Sequence, residues 1–300
     1  MLRINSGFYL VHKPAGITSS DLVLKIKKNK KPIKIGHTGT LDKAAEGLLI
    51  LPFGDYTSFS SVFLEEDKGY FAKVRFGKNT DSGDRDGNTI DERSSDEVKE
   101  FYLKNLPQIK EEILKIKDTT SQIPPVISAL KVGGIRQSSL YRGGIEFESV
   151  TRSMQIYHFQ YQNLTETGFE MSLRVSSGTY IRKIVMDLGE ALNFPMYMES
   201  LVRTSIGTVS LEKALSVEEV ILPDSKFYTL EEMIPFPWLD LNEVETKSVR
   251  HGGYIQPRDV EGDFLLRDNS GKLLAWCSTN EKKAHLPYKY LKVFYNPDEI

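Results

Sequence analysis

Apolar and polar positions alternate with two different periods along this chain, and the changes of period mark its predicted elements. FYLVH (8–12) is a short apolar run of strand length, and LLILPF (48–53) reads as a buried strand. Between them Thr18-x-x-Asp21 has the form of a capping box, opening a helix whose apolar side holds Leu22, Val23 and Ile26. Farther on, Tyr70, Ala72, Val74 and Phe76 alternate with Phe71, Lys73 and Arg75, the two-residue period of a strand. The polar tract NTDSGDRDGN (79–88) predicts a loop, and helices are expected at about 95–105 and 107–117. Hairpin-like strands follow near 154–161 and 169–176. In YIRKIVMDLGEAL (180–192), Ile181, Ile184, Val185 and Leu188 recur at the spacing of one buried helix face.

Strands and helices are mixed rather than regularly alternating, which predicts an α+β fold, not a doubly wound sheet. Pro235 and Pro237 in IPFPW mark a boundary, dividing the chain into residues 1–238 and a small unit, 239–300. In that unit RHGGYIQP, DFLLRD, LLAWC and YLKVFY read as short strands. No internal repeat or low-complexity tract is visible.

Composition adds exclusions. With 300 residues, 40% of them apolar, the chain can bury a large core. Its single cysteine, Cys277, cannot form an internal disulfide, and one Cys and five His offer no zinc-type spacing. A metal-free, cytoplasmic protein is expected, and no run is long enough for a signal peptide or a membrane span. The net charge of −2 hides an uneven distribution. Residues 1–60 carry nine Lys/Arg against four Asp/Glu, and Lys25, Lys27, Lys28, Lys30, Lys31 and Lys34 crowd one stretch at a density suited to phosphate contact. The last residues, 240–300, hold nine basic and ten acidic side chains and give no comparable signal.

The chemistry concentrates in GHTGTLDKAAEGLL (36–49). Its glycines permit close backbone approach and unusual dihedrals, while His37 and Asp42 bring polar side chains to one loop. An Asp in such a turn is by itself compatible with a simple Asx-turn. The whole segment, however, resembles the pattern GHxGTLDPxAxGxL of the TruB family of tRNA pseudouridine synthases. The likeness continues in order through KPAGITSSD (13–21), DKGYFAKVRFGKNTDSGDRDG (67–87), QIPPVISALKVGG (122–134), GTYIRKIVMDLGEAL (178–192) and SLVRTSIG (200–207), covering about residues 8–210. One departure lies beside the key carboxylate, where Lys43 replaces the family's proline.

The resemblance implies a pseudouridine-synthase-like, mixed and mostly antiparallel sheet flanked by helices and loops, followed by a small C-terminal β-rich, PUA-like RNA-binding domain. It implies isomerisation of uridine 55 in the T-arm of tRNA without cofactor or metal, by a monomer that needs no protein partner. Asp42 is then the catalytic carboxylate, Arg182 its partner and Tyr70 the residue that stacks on the target base. His37 would contact the displaced nucleotide. Tyr180 and Leu201 would line the base pocket, Lys13 and Pro14 would brace the active-site loop, and Lys131 would join Lys27, Lys28, Lys30 and Lys31 on the RNA backbone. Two alternatives stand beside this reading: a tRNA-binding or folding protein without turnover, and a guide-RNA-dependent synthase working inside a multi-protein particle.

Overall fold

Continuous apolar runs occupy the middle of a sheet here, and alternating runs its outer part. The computed structural model describes residues 6–31, 34–128, 130–147, 149–255, 258–279 and 288–294. Their contacts separate two units, Met1–Phe227 and Tyr228–Ile300. In the first, β1 (Gly7–Lys13), β2 (Glu46–Phe53), β3 (Lys68–Phe76), β4 (Ile156–Thr165), β5 (Gly168–Val175) and β6 (Met196–Ile206) form one sheet in the order β1-β2-β6-β3-β5-β4. All neighbours are antiparallel except β2 and β6. This is the mixed, mostly antiparallel sheet expected from the resemblance.

From Leu48 to Phe53 β2 is apolar because both its faces are covered. Leu49, Leu51 and Phe53 pack with Leu22 and Ile26 of α1 (Ser19–Lys30), while Phe8 of the neighbouring β1 stacks on Tyr56 and meets the edge of Phe63 on the other side. β3 alternates: Ala72 and Val74 face a core shared with Ile181, Ile184, Val185 and Leu188 of α3 (Ile181–Ala191). Its Lys73 and Arg75 point outward to Glu170 and Glu199 at 3.0 and 2.8 Å. The Thr18–Asp21 capping box forms as predicted, the hydroxyl accepting from the Asp21 N–H at 3.1 Å.

Two predicted boundaries move. The helices expected at 95–105 and 107–117 are a single one, α2 (Ser95–Lys115), which runs straight through Pro107. Proline there removes the bond to the Leu103 carbonyl, but both residues are exposed, so the freed carbonyl is open to water. The apolar face stays continuous through Phe101, which stacks on Phe194 at 3.7 Å, to buried Ile109 and Ile113. The polar tract 79–88 is likewise not all loop: Lys78–Thr80 and Thr89–Glu92 pair as a short ribbon around its turn.

One glycine shows how the parallel pair is built. Gly47 lies beside Arg203 in the β2–β6 register with φ +115°, and a Cβ there would sit 2.4 Å from the Arg203 carbonyl oxygen. Gly47→Ala is expected to lower unfolding free energy by about 1–3 kcal/mol from the backbone conformation alone, with the clash in addition. Denaturant titration checks this, and an alanine variant as stable as wild type would show that the strand pair relaxes freely.

The second unit holds β7 (Trp238–Asp240), β8 (Asp263–Arg267), β9 (Leu273–Thr279) and β10 (Tyr288–Val293) in one four-stranded sheet, with α4 (Glu243–Arg250) beside it in sequence. Its start precedes the IPFPW boundary. Thr229 caps the short helix Leu230–Met233, and the Pro237 carbonyl accepts from the Leu265 N–H, so these prolines end a helix inside the unit. RHGGYIQP is not a strand in its described part: Arg250 closes α4, and Gly252 and Gly253 return their N–H groups to the Val249 and Ser248 carbonyls, a helix-ending use of glycine.

Candidate active site

Asp42 projects from the loop that leads into β2, and the preceding segment grips that loop on both sides of it. The Gly16 N–H donates to the Lys43 carbonyl at 2.8 Å. Ser19, at the start of α1, accepts from the Leu41 N–H at 2.9 Å and donates its hydroxyl to the Leu41 carbonyl at 3.1 Å. Lys13 shapes the gripping turn itself. Its buried ammonium donates to the Pro14 and Ile17 carbonyls, both at 2.8 Å. Burial pulls that ammonium down to about 8, an effect the nearby Asp42 charge opposes.

Arg182 reaches Asp42 from α3. Its Nε donates to Asp42 Oδ2 at 2.8 Å, Nη1 to the Ser82 carbonyl at 2.7 Å and Nη2 to the Ile127 carbonyl at 3.2 Å. The arginine side chain is only 4% exposed, whereas the Asp42 side chain remains 40% exposed. One oxygen of the carboxylate is thus held by a buried fork while the group stays open to a substrate. Asp84 stands behind the pair, its Oδ2 3.6 Å from Arg182 Nε and its Oδ1 accepting from the Ser82 hydroxyl at 2.7 Å. Burial pushes the Asp84 carboxyl above its ordinary value, against the pull of Ser82 and Arg182.

Asp42 and Arg182 open on a cavity of 260 Å³ whose walls include Tyr70, Tyr180, Leu201, Lys68 and Arg203. Tyr70 and Leu201 come from adjoining strands β3 and β6, Tyr180 from the residue before α3. Gln122 fixes that last position: its carbonyl accepts from the Tyr180 N–H at 2.7 Å and its amide donates to the Tyr180 carbonyl at 3.4 Å. Burial raises the Tyr180 phenol above its usual value.

Five of the residues singled out from sequence therefore share one cavity: Asp42, Tyr70, Tyr180, Arg182 and Leu201. Lys13, Pro14 and His37 are not among its lining residues. Among the described residues the buried His37 Nδ1 meets no hydrogen-bond partner, and burial, then Arg203, holds its imidazole below the ordinary value. Along α1, Lys27, Lys28 and Lys31 are exposed. Lys30 instead folds back, donating to the Leu222 carbonyl and to that of Pro223, with its ammonium 5.7 Å from the Tyr9 ring centre. The Lys131 side chain lies outside the described residues.

A profile of the TruB family pseudouridylate synthase N-terminal domain matches residues 25–181, more than half of the chain. The tRNA pseudouridine synthase B of Leptospira interrogans is 41% identical over 294 residues, covering 97% of this chain and 95% of the relative. The chain belongs to the TruB family. The synthase B of Azoarcus sp. is 34% identical over 88% of both chains, and that of Acholeplasma laidlawii 33% identical over 95% of this chain and all of its own. Among solved structures, Cbf5 in a Cbf5-Nop10-Gar1 complex aligns with a TM-score of 0.67 at 20% identity, over 97% of this chain and 86% of its own. That likeness shows the shared fold.

Four residues of this TruB site are not singled out by sequence patterns: Asp84, Gln122, Lys68 and Arg203. Asp84 and Gln122 lie inside the 79–88 tract and QIPP, and no local periodicity distinguishes a buried Asp or Gln from an exposed one in such a loop. The signal that points to Lys68 and Arg203 is their place on core strands, where a cation needs partners. Among the described residues no helix is long and apolar enough to cross a membrane.

Proposed function

We propose that this chain is a tRNA pseudouridine synthase that, as a single protein without guide RNA, isomerises uridine 55 in the T-arm, with Asp42 as its essential carboxylate. The observation that carries this is the half-open Asp42 held by the buried Arg182 fork at the mouth of a cavity with Tyr70, Tyr180 and Leu201 in its walls. The reaction cleaves the bond from the ribose C1′ to the uracil N1, turns the base and rejoins C1′ to C5, with loss of the C5 proton and gain of a proton at N1. Substrate and product are isomers, so no oxidant or co-substrate enters. Each chemical route to that cleavage draws on one carboxylate: attack on the ribose, addition to the base, or removal of a ribose proton. A target uridine in a folded T-loop must leave its stack to reach the cavity, and Tyr70 supplies the ring on which it is received.

Binding alone would not favour this arrangement, since a carboxylate facing a polyanion repels phosphate. The names of the 30–41% identical relatives, tRNA pseudouridine synthase B, support turnover on tRNA. The test is direct: purified chain is incubated with an unmodified tRNA transcript and no other RNA, and pseudouridine is mapped at single-nucleotide resolution. Conversion confined to position 55 is the expected result. Modification only on adding a guide RNA and partner proteins would assign the chain to the guided type, and binding without conversion to the folding-protein reading.

The exposed lysines of α1 give a separate expectation. Replacing Lys27, Lys28 and Lys31 together by Gln should weaken tRNA binding and flatten its salt dependence by about 0.7–0.9 in log–log slope per lost phosphate contact. Lys30→Gln, whose ammonium is engaged on the Leu222 and Pro223 carbonyls, should leave the slope unchanged. An unaltered slope in the triple variant would make the cluster a solvated helix end.

A further inference from the structure

We propose that Arg203 is a positioning residue that ties the Tyr70 ring to the Asp42 loop, so that the surface receiving the base and the carboxylate keep one fixed geometry. The proposal rests on the roles given above to Tyr70 and Asp42. Arg203 lies on β6, the strand inserted between β2 and β3, directly opposite Tyr70 on one side and Gly47 on the other. Side chains opposite each other across an antiparallel pair are within contact distance. Arg203 and Tyr70 both line the cavity onto which Asp42 opens. The Arg203 Nε donates to the Leu48 carbonyl at 2.8 Å, and Nη2 donates to the Gly39 carbonyl at 3.2 Å. Gly39 and Leu48 bracket the loop that carries Asp42, so one planar fork spans both ends of that loop beside the facing tyrosine.

The surroundings make a purely space-filling role a poor account. Arg203 is 2% exposed, and among the described residues it makes no ion pair with a carboxylate. Removing a guanidinium from water with only neutral acceptors around it is costly, and an apolar side chain would fill the same volume without that cost. What an apolar side chain or a lysine cannot do is present several donors in a fixed plane to separate acceptors. Gly39 fits the same account: with φ +122° it runs close beside the fork, and a Cβ would lie 3.8 Å from Arg203 Nη1. Burial pulls the guanidinium below its ordinary value, and the Tyr70 oxygen and the Asp42 charge oppose that pull.

The test is a double-mutant cycle on the full chain, read as the single-turnover rate at saturating tRNA transcript, with tRNA Kd and melting temperature measured for each variant. Arg203→Lys is expected to lower the saturated rate at least tenfold while Kd stays within about threefold, because the cation remains and the fork is lost. Tyr70→Phe removes the phenol oxygen of the tyrosine facing the fork, and the Arg203→Lys/Tyr70→Phe variant should be clearly faster than the product of the two single effects. Independent, multiplicative effects overturn the link, as does a wild-type rate in Arg203→Lys. A wild-type rate in Tyr70→Phe together with activity in Asp42→Asn would instead overturn the underlying assignment of the site. Should Arg203→Lys fail to fold, Arg203→Gln takes its place in the cycle. Failure of both to fold beside a stable Tyr70→Phe assigns Arg203 to the fold alone and overturns the proposal.

Discussion

Asp42→Asn is expected to reduce pseudouridine formation below about 1% of the wild-type rate while tRNA binding persists. The amide keeps the volume of the carboxylate and can still accept from Arg182 Nε, now 2.8 Å away, so the loop gripped through Leu41 and Lys43 has no reason to move. What disappears is the negative charge, with its basicity and nucleophilicity, and every route to breaking the glycosidic bond needs one of these. Kd for a tRNA transcript should hold or tighten, because a charge that repels phosphate has been removed. The check is a single-turnover assay at saturating tRNA. Sustained turnover in the asparagine variant would show that another group carries the reaction.

Arg182→Lys is expected to stay folded and to bind tRNA, yet to lose roughly 10²-fold in saturated rate, the scale of a small misplacement of a reacting group. A lysine ammonium can meet Asp42, but it cannot also satisfy the Ser82 and Ile127 carbonyls in the plane that the guanidinium defines. Arg182→Ala should be slower still and less stable, by about 3 kcal/mol on the scale for breaking a buried pair. It leaves Asp84, whose carboxyl is buried, beside Asp42 with no cation between them. A second expectation follows from Ile127: losing its partner should loosen the 122–134 segment, raising the tRNA concentration needed for saturation. If both variants only raised that concentration and kept the wild-type saturated rate, Arg182 would be a phosphate contact rather than the partner of the carboxylate.

Much of the site is legible in the order of residues alone. Asp42 stands out through the whole segment 36–49, which resembles the TruB pattern, and Gly47 shows what one of its glycines does: its φ of +115° and its approach to Arg203 leave little room for a side chain. The capping box at Thr18, the alternation in β3 and the helical face of α3 depend on neighbours within a few residues, so pattern and structure agree there. Pro107 misleads for the complementary reason. A helix-breaking propensity is local, but its cost depends on whether the freed carbonyl faces solvent. RHGGYIQP misleads in the same way, since glycine after an apolar stretch can end a helix or interrupt a strand, and only the caps of α4 distinguish the two.

By itself the sequence determined the local elements, because periodicity and caps depend on neighbours a few residues apart, while the carboxylate loop and most of the cavity's residues were legible only through the ordered motifs that resemble the TruB family. Only the tertiary structure decided which of the other cations serve the fold and what stands behind the Asp42–Arg182 pair that the resemblance implies. Lys30 turns back onto the Leu222 carbonyl, and Arg203 becomes a strut because β6 enters the sheet between β2 and β3. Arg182 meets Asp42 across 140 residues, with Asp84 behind it. Such partners are chosen by strand order and burial, which remove water and leave each charge only the acceptors that packing brings to it.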